Sequence, residues 1–303
     1  MEDNRFAIIG AAGYVSPRHM RAIVESGGEI QAAMDPRDSV GILDRFSPNC
    51  QFFTEHERFW RWFARCDFEG RQRPNWVSIC SPNWLHDSHI RMALIHGCKV
   101  IVEKPVVITP RNLRCLMEEF PDFSDRVFIV HQLRWHPSGR RLKEFVDRVI
   151  QNDPMAEFEV KIDYHTPRGP WYGYSWKGDE SRSGGPIFNL GIHFLDLLCW
   201  VFGDHRSVFV RDRCDSVVSG EISFESASVD FYLSTNRPDG DRSGPGRQFV
   251  VRSGLEEFKF EFDSGFEGLH DDVYRSAMSG LGVGLDDALG PTRLAHEIRT
   301  SMT

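Results

Sequence analysis

The stretch that decides the fold is RFAIIGAAGYVSPRHMRAIVESGGEIQAAMD, residues Arg5–Asp35. Its apolar opening, Arg5–Gly10, predicts a buried strand, and Pro17–Ser26 predicts a helix that ends at a pair of glycines. Glu29–Asp35 predicts a second strand. A strand, a glycine-containing turn, a helix and a second strand make a βαβ unit, which belongs to a parallel sheet.

The remainder of the first 130 residues continues this alternation of short apolar runs and amphipathic stretches. Further strands are predicted at Trp76–Cys80, Cys98–Val102 and Val127–His131, with a helix at His86–His96. The predicted fold class is therefore α/β. We expect residues 1–130 to form a Rossmann domain, in which helices wrap a doubly wound parallel sheet.

Beyond residue 150 the pattern changes to alternation of apolar and polar side chains. It is clearest in Glu157–Tyr164 (EFEVKIDY) and returns at Ser228–Ser234, Phe249–Arg252 and Glu257–Phe262. A period of two is typical of an open sheet with one face in the core. We expect residues 131–285 to form an α+β domain built on an open sheet, used for substrate binding and oligomerisation.

The apolar face of that alternating sheet needs a cover, and a second copy of the chain would supply one. We therefore expect a homodimer or a homotetramer. The segment 236–246, rich in Gly, Pro, Asp and Arg, predicts a hairpin tip or a flexible loop.

Composition argues against several classes of protein. The 303 residues carry a formal net charge of −8, whereas nucleic-acid-binding proteins usually have a basic surplus. The seven cysteines form no C-x-x-C pair, so no metal site is predicted and a reducing cytoplasm is indicated. The start, Met1–Asn4, lacks the basic region of a signal peptide, and the apolar stretch Phe194–Phe202 is too short to span a membrane.

The turn Gly10-Ala11-Ala12-Gly13 lies between the first strand and the first helix. Glycine lets the backbone approach a pyrophosphate, and the amino terminus of the helix offers unpaired N–H groups to phosphate oxygens. The match to G-x-G-x-x-G is imperfect, because Ala12 and Val15 stand where the second and third glycines would be. A plain connecting turn is the alternative.

Asp35 ends the second strand, where a carboxylate can accept hydrogen bonds from the hydroxyls of an adenosine ribose. The same charge would repel a 2′-phosphate, so NAD is favoured over NADP. Alternatively, Asp35-Pro36 only opens a turn. Strand, turn, helix and acid together predict a dinucleotide cofactor, held in this region by Gly10, Ala12, Gly13, Tyr14 and Asp35.

A second motif, Glu103-Lys104-Pro105, follows a predicted strand, and parallel sheets bind ligands at the carboxyl ends of their strands. A positive nicotinamide ring would lower the pKa of Lys104 and favour the neutral amine that accepts a proton. The alternative is a surface lysine beside a turn proline. The predicted cofactor contacts at this edge are Ser81, Asn83, His86, Glu103 and Lys104.

A third motif is Gly184–Asp196, GGPIFNLGIHFLD. Asn189 and His193 are four residues apart, so they share one face of a helix. Asp196, three residues beyond His193, is predicted either to orient its imidazole or to cap a local network. A histidine with a structural role is the alternative.

Taken together, these motifs resemble the Gfo/Idh/MocA family, the glucose–fructose oxidoreductase-like dehydrogenases. The resemblance rests on GAAG (10–13), EKP (103–105) and GGPIFNLGIHFLDLLCWVFG (184–203), and it covers nearly the whole chain. Within that family the chain resembles the bacterial UDP-N-acetylglucosaminuronate 3-dehydrogenases. The strings that carry this narrower resemblance are GAAGYVSPRHM (10–20), MDPRDSVGILD (34–44), SICSPNWLHDSHIRMAL (78–94), QLRWHP (132–137), RGPWYGYSWKGD (168–179) and LAHEIR (294–299).

The resemblance implies a Rossmann domain, an open-faced mixed-sheet domain and a final helix, about 286–303, that returns to the first domain. It implies that NAD accepts a hydride and that the 3-hydroxyl of a UDP-linked acetamido uronic acid is oxidised. Such enzymes act in the synthesis of sugars for bacterial lipopolysaccharide. Some relatives recycle the reduced cofactor with 2-oxoglutarate and others do not.

In that family the lysine of E-K-P and the histidine of the G-G…H segment face the sugar, which carries over to Lys104 and His193. Many members have Asp where this chain has Asn189, and an amide cannot take a proton, so Asn189 is expected to position the substrate. Lys104 or His193 would remove the proton from the sugar O3 while the hydride leaves C3, with Lys104 the first choice.

A substrate of this kind carries a diphosphate and a carboxylate, which basic side chains would neutralise. The residues predicted to bind it, beside Lys104, Asn189 and His193, are Arg134, His136, Arg168, Trp171, Tyr172 and Lys177. The alternative for each basic residue is a solvated surface charge. The aromatic residues belong to a long irregular segment between residues 165 and 185, and such segments are usually functional or disordered.

Three other functions fit the same motifs. The first is a dehydrogenase of another sugar or polyol, since the motifs determine the cofactor better than the substrate. The second is an NAD-dependent glycosidase, in which no net oxidation occurs. The third is a regulator that binds NAD without catalysis. Regulators of that kind often lose the catalytic lysine or histidine, and this chain retains both.

Overall fold

The computed structural model describes residues 4–122, 125–236 and 246–301. The chain divides into two compact units. The first consists of residues 1–107, 111–131 and 268–286, and the second of residues 108–110, 132–267 and 287–303. Most of the loop predicted at 236–246 lies outside the described residues.

The first unit contains a sheet of six parallel strands in the order β3-β2-β1-β4-β5-β6. Its strands are β1 (Arg5–Ile9), β2 (Glu29–Met34), β3 (Gln51–Phe53), β4 (Trp76–Ile79), β5 (Lys99–Val102) and β6 (Val127–Ile129). Its first helices are α1 (Ser16–Glu25), α2 (Leu43–Phe46), α3 (His56–Phe68), α4 (His86–Ile95) and α5 (Pro110–Glu119). The strand order reverses between β1 and β4, as in a dinucleotide-binding Rossmann fold, so the predicted architecture is confirmed.

A later segment of the chain completes this unit. Helix α10 (Leu269–Met278) lies against α1, and its fully buried Tyr274 has its ring 5.8 Å from that of Phe6. The N–H of Ile129 donates to the carbonyl of Val283 at 2.8 Å. The buried residues Leu269, Val273 and Ala277 of α10 are spaced four apart, which gives the helix an apolar face within the first unit.

The last helix, α11 (Leu285–Thr300), corrects the predicted domain boundaries. Its residues Leu294, Ala295 and Ile298 belong to the apolar core of the second unit. The expectation that residues 286–303 return to the Rossmann domain is therefore wrong. The segment that returns comes just before it.

The second unit contains a mixed sheet in the order β12-β11-β7-β10-β9-β8, in which β7 and β10 are parallel and the other neighbours antiparallel. Its strands are β7 (Phe158–His165), β8 (Ser207–Arg213), β9 (Val217–Ser223), β10 (Ala227–Ser234), β11 (Arg247–Ser253) and β12 (Glu256–Lys259). Its helices besides α11 are α6 (Pro137–Asn152), α7 (Trp171–Tyr174), α8 (Glu180–Ser183) and α9 (Ile192–Phe202). This confirms the predicted mixed sheet.

One face of this sheet is covered by helices of the same unit. Phe158, Val160 and Ile162 of β7 are buried in one apolar cluster with side chains of α6 and α9, whereas Glu159 and Lys161 are exposed. The premise that a second copy must cover the apolar face is therefore wrong, because the outward face is charged. The oligomeric state stays a prediction.

One stretch, Glu180–Phe202, is long and apolar enough to cross a membrane by length and composition. Its apolar side chains, among them Leu195, Leu197 and Leu198, lie in the core of the second unit. Burial of this kind is what a core helix of a folded domain shows.

Candidate active site

The turn after β1 requires glycine at position 10 for a steric reason within the protein itself. Gly10 has φ +88°, and a Cβ there would lie 2.6 Å from the carbonyl carbon of Cys80. The N–H of Gly10 donates to the carbonyl of Met34 at 2.8 Å. Only glycine fits, because the backbones of three neighbouring strand ends come this close together.

Asp35 holds this turn at the end of β2. Its two oxygens accept hydrogen bonds from the N–H groups of Ala12 and Arg37, each at 2.9 Å. The carboxylate is buried, yet two of its four lone-pair sites remain for other donors. Such a fixed carboxylate at a strand end suits ribose hydroxyls, so the residues present fit a dinucleotide.

The amino terminus of α1 begins directly beyond the turn, with Val15 at its N-cap and Pro17 in its first turn. Among the described residues no side chain caps this end, so its orphan N–H groups suit a phosphate. Tyr14 is 90% exposed beside it, in a position to contact a ligand.

The end of β4 carries Ser81, Asn83 and His86, all buried. Ser81 Oγ lies 2.8 Å from Nδ1 of His89. His86 has Nδ1 2.7 Å from the carbonyl oxygen of Pro105 and Nε2 2.7 Å from that of Ser81. This ring therefore joins the ends of β4 and β5, and its contact with the cofactor stays a prediction. Burial lowers its pKa, against the effect of the two carbonyls.

Glu103 and Lys104 follow β5, and the Lys104–Pro105 peptide bond is cis. Oε1 of Glu103 lies 2.9 Å from Nε2 of His19 and 3.3 Å from Nε2 of His270. The carboxylate of Glu103 therefore turns towards α1 and α10, and its contact with the cofactor stays a prediction. Lys104 is partly exposed at the carboxyl edge of the sheet, the predicted place for a reacting side chain.

Glu103, His19 and His270 carry ligand atoms that all lie within 4.8 Å of one another, a spacing that also suits a metal ion. Burial opposes ionisation of Glu103, but hydrogen bonds from His19 and His270 hold its pKa well below the usual range. Burial lowers the pKa of His19, although Glu103 opposes this. The group is thus an ionised carboxylate that accepts hydrogen bonds from two imidazoles. No sequence motif pointed to these two histidines.

In the second unit, three predicted substrate residues come together. The amide of Asn189 donates to the carbonyl of Lys177 at 3.2 Å, and the phenol of Tyr172 is hydrogen-bonded to the Asn189 side chain. Burial raises the pKa of Tyr172, although the bond to Asn189 lowers it. Asn189 lies in a wide helical turn, Ile187–Gly191, that leads into α9, where His193 is partly exposed.

Asp196 and Arg134 form a buried ion pair. Nε and Nη2 of Arg134 donate to the two Asp196 oxygens at 3.0 and 2.8 Å, and Nη1 donates to Asp287 at 2.8 Å. Burial lowers the pKa of Arg134, but the two carboxylates outweigh it and the pKa is raised. The guanidinium is thus bound within the protein, and Arg134 as a substrate contact stays a prediction. Both Asp196 oxygens bind the guanidinium, and the predicted task of orienting His193 stays a prediction.

His136 has a structural role in the second unit, and its contact with the substrate stays a prediction. Its Nδ1 accepts the N–H of Ser138 at 3.1 Å and caps α6, while its Nε2 donates to the carbonyl of Ser264 at 2.8 Å. The ring stacks on Phe260 and is buried. Burial lowers its pKa, which suits a neutral imidazole with one donor and one acceptor.

The remaining predicted substrate residues are accessible. Arg168 is exposed, and Trp171 is 56% exposed with its ring 5.7 Å from that of Tyr172. Nζ of Lys177 lies 4.6 Å from the centre of the Trp176 ring. A cavity of about 160 Å³ adjoins Lys177 and Gly184, and Arg213 and Arg299 also line it.

Two family models match the chain. Residues 4–131 match the Gfo/Idh/MocA model described as an oxidoreductase family with an NAD-binding Rossmann fold, and residues 154–230 match its C-terminal alpha/beta domain. The chain belongs to the Gfo/Idh/MocA oxidoreductase family. The match to an NAD-binding family model confirms the prediction that NAD is the cofactor of the first domain.

Two solved structures of the WlbA (WbpB) dehydrogenase from Thermus thermophilus resemble the whole chain. One, with NAD and alpha-ketoglutarate, is 41% identical, covers 99% of this chain and 96% of its own, and has a TM-score of 0.89. The other, with NAD and UDP-GlcNAcA, is 40% identical over 99% and 95%, with a TM-score of 0.87. The narrower resemblance seen in the sequence is thereby confirmed.

Curated relatives match over shorter lengths. D-glucoside 3-dehydrogenase of Escherichia coli (strain K12) is 31% identical over 132 residues, which is 43% of this chain and 36% of that protein. Oxidoreductase P35 of Formosa agariphila is 28% identical over 160 residues, 50% of each. The chain thus matches between about a third and a half of these two relatives.

Proposed function

We propose that the protein is an NAD-dependent dehydrogenase that oxidises the 3-hydroxyl of a UDP-linked 2-acetamido-2-deoxyglucuronic acid to the 3-keto sugar. The observation that carries this proposal is 41% identity across 99% of the chain with a WlbA dehydrogenase, which has also been solved with NAD and UDP-GlcNAcA. The family motifs around Lys104, Asn189 and His193 are consistent with it.

Each residue has a proposed task. Bound NAD would supply the acceptor for the hydride from C3 of the sugar. Lys104 or His193 takes the proton of the 3-hydroxyl, with Lys104 the first choice. Asn189 positions the sugar, since an amide cannot take up the proton. Asn189 is itself fixed by Tyr172 and by the carbonyl of Lys177, which supports that task.

The negative groups of the substrate need basic partners in the second unit. Arg134 and His136 are occupied by bonds within the protein, so Arg168 and Lys177 are the proposed partners of the diphosphate and carboxylate. Trp171 and Tyr172 would contact the rest of the nucleotide sugar. The exposure of Arg168 and Trp171 supports this assignment.

We also propose that the enzyme works in the cytoplasm, in the synthesis of sugars for a bacterial surface polysaccharide, and as a homodimer or homotetramer. The seven cysteines are free thiols, which suits a reducing compartment. We further propose 2-oxoglutarate as the oxidant that recycles the cofactor, because a Thermus relative has been solved with alpha-ketoglutarate beside NAD.

The test is a substrate panel with purified protein and NAD. It compares UDP-N-acetylglucosaminuronate with UDP-N-acetylglucosamine, UDP-glucuronate, simple glucosides and inositols. We expect the 3-keto sugar only with the first substrate. NADH can stay bound to the enzyme, so each substrate is also tested with 2-oxoglutarate present. Both the absorbance of NADH and the 2-hydroxyglutarate formed from 2-oxoglutarate are followed.

Other outcomes of this panel would contradict the proposal. Oxidation of simple glucosides alone would indicate a dehydrogenase of another sugar. Sugar release without net oxidation would indicate an NAD-dependent glycosidase. Tight NAD binding with no reaction on any compound would indicate a regulator.

A further inference from the structure

A chain of buried hydrogen bonds runs from β4 to the residue that precedes Lys104. Oγ of Ser78 lies 2.6 Å from the Tyr274 hydroxyl, which lies 2.8 Å from Nδ1 of His19. Nε2 of His19 lies 2.9 Å from Oε1 of Glu103, and Nε2 of His270 approaches the same oxygen at 3.3 Å. The chain thus joins α1, α10, β4 and the end of β5.

The direction of each bond follows from the carboxylate. An ionised carboxylate only accepts, so His19 and His270 both donate to Glu103 through Nε2. Neutral His19 then accepts at Nδ1, which the Tyr274 hydroxyl can supply, and Tyr274 accepts in turn from Ser78. Every polar hydrogen in this chain has a partner, as a buried polar network requires.

The other side of Lys104 is held as well. The carbonyl of Pro105 lies 2.7 Å from Nδ1 of the buried His86, whose Nε2 contacts the carbonyl of Ser81 at the same distance. The N–H of Glu103 donates to the carbonyl of Ile79 at 2.9 Å. The residues on both sides of Lys104 are therefore tied to other elements, while the lysine itself stays partly exposed.

We propose that Glu103, His19, His270 and His86 are positioning residues, which fix the backbone on both sides of Lys104 so that its amine meets the reacting hydroxyl. This inference rests on the proposed function, in which Lys104 touches the sugar. Lysine has a long flexible stem, so a tilt of its backbone displaces Nζ. A misplacement of about 1 Å at a reacting group can cost about 100-fold in rate.

The test is a double-mutant cycle with UDP-N-acetylglucosaminuronate as the probe. His19→Leu removes the donor to Glu103, and His19→Gln keeps an N–H donor there. We expect His19→Leu to lower kcat by about 10- to 100-fold, with sugar KM and NAD affinity nearly unchanged, and His19→Gln to recover most of the loss. Combined with Lys104→Ala, His19→Leu should cause no further loss, because its effect passes through the lysine.

His205→Leu is the matched control, since it removes a histidine–glutamate bond of 2.8 Å to Glu297 in the second unit. It should leave kcat unchanged. An unchanged kcat in His19→Leu would overturn the inference. It would also be overturned if His19→Leu lowered kcat by the same factor in the wild-type and in the Lys104→Ala background. If His19→Leu does not fold, the same cycle with His270→Leu, which removes the second donor to Glu103, decides on the same criteria. Full activity of Lys104→Ala would instead overturn the proposed role of the lysine.

Discussion

The two units of the chain differ in how well a polar residue's task follows from its place in the sequence. In the first unit, Gly10, Asp35 and Lys104 lie at strand ends, as predicted. In the second unit, Arg134 and His136 were selected by charge, and the structure uses both internally. The position of a strand end is a local property, whereas the availability of a charge depends on distant partners.

Arg134 illustrates that dependence. Its partners Asp196 and Asp287 are 62 and 153 residues away in sequence. No local pattern links them, and each alone resembles an ordinary surface charge. Substitutions of such residues in each unit test this difference.

The largest effect is expected at Lys104 and His193. Lys104→Ala and His193→Ala should each lower turnover of the 3-hydroxyl sugar by about 10²- to 10⁴-fold, because a positioned acid or base contributes that much. NAD affinity, measured by fluorescence titration, should stay close to wild type. Wild-type turnover in both variants would contradict the proposed mechanism.

The next effect concerns the ion pair of the second unit. Arg134→Met leaves Asp196 buried without its partner and should lower the free energy of unfolding by about 3–5 kcal/mol. Arg168→Met, at an exposed site, should change it by less than about 0.5 kcal/mol. Urea denaturation measures both. If Arg134→Met keeps its stability and only raises the sugar KM, the sequence-based assignment of Arg134 was right.

A smaller effect is expected from acid in the first unit. Burial, together with His56 and His86, lowers the pKa of His89 to about 3. The pKa of this histidine in the unfolded chain is about 6.5. Below that pH the unfolded chain binds a proton at position 89 that the folded chain does not bind. The free energy of unfolding therefore falls as the pH is lowered to about 3. Through His89 alone, lowering the pH from about 7 to about 5 should lower the free energy of unfolding by about 2 kcal/mol.

His89→Gln tests this assignment by urea denaturation at both pH values. The variant loses stability at every pH through its lost bond to Ser81, but its stability should fall less steeply with acid. His205→Gln, in the second unit, is the comparison. An unchanged pH slope in His89→Gln would show that His89 is not the acid-sensitive group.

The smallest effect is expected at Asp35. Asp35→Asn keeps an oxygen for the Ala12 N–H but loses the charge, so NAD affinity should fall about tenfold. The preference for NAD over NADP should shrink, because the repulsion of a 2′-phosphate is removed. Asp38→Asn, at a neighbouring exposed site, should change neither. A selectivity unchanged in Asp35→Asn would argue that Asp35 only holds the turn.

Much of the fold could be predicted because it is encoded locally. The strands β1, β2, β4, β5 and β7 lie within a residue or two of the predicted ranges. The domain boundaries could not be predicted as well, because α10 and α11 are both amphipathic and nothing in their spacing says which core each one joins. The hydrogen bond between Tyr274 and His19 could not be predicted either, because the two residues are 255 positions apart in sequence.

Sequence alone determined the order of strand, turn and helix, the glycine at position 10, the acid at the end of β2 and the lysine after β5. These follow from hydrophobic periodicity and from backbone geometry within a few residues. The partners of Glu103 and His86 within the protein, and the neutralisation of Arg134 by Asp196 and Asp287, come from contacts between segments that are distant in sequence. The reason is physical: a buried polar group must find a partner, and that partner is chosen by packing in space.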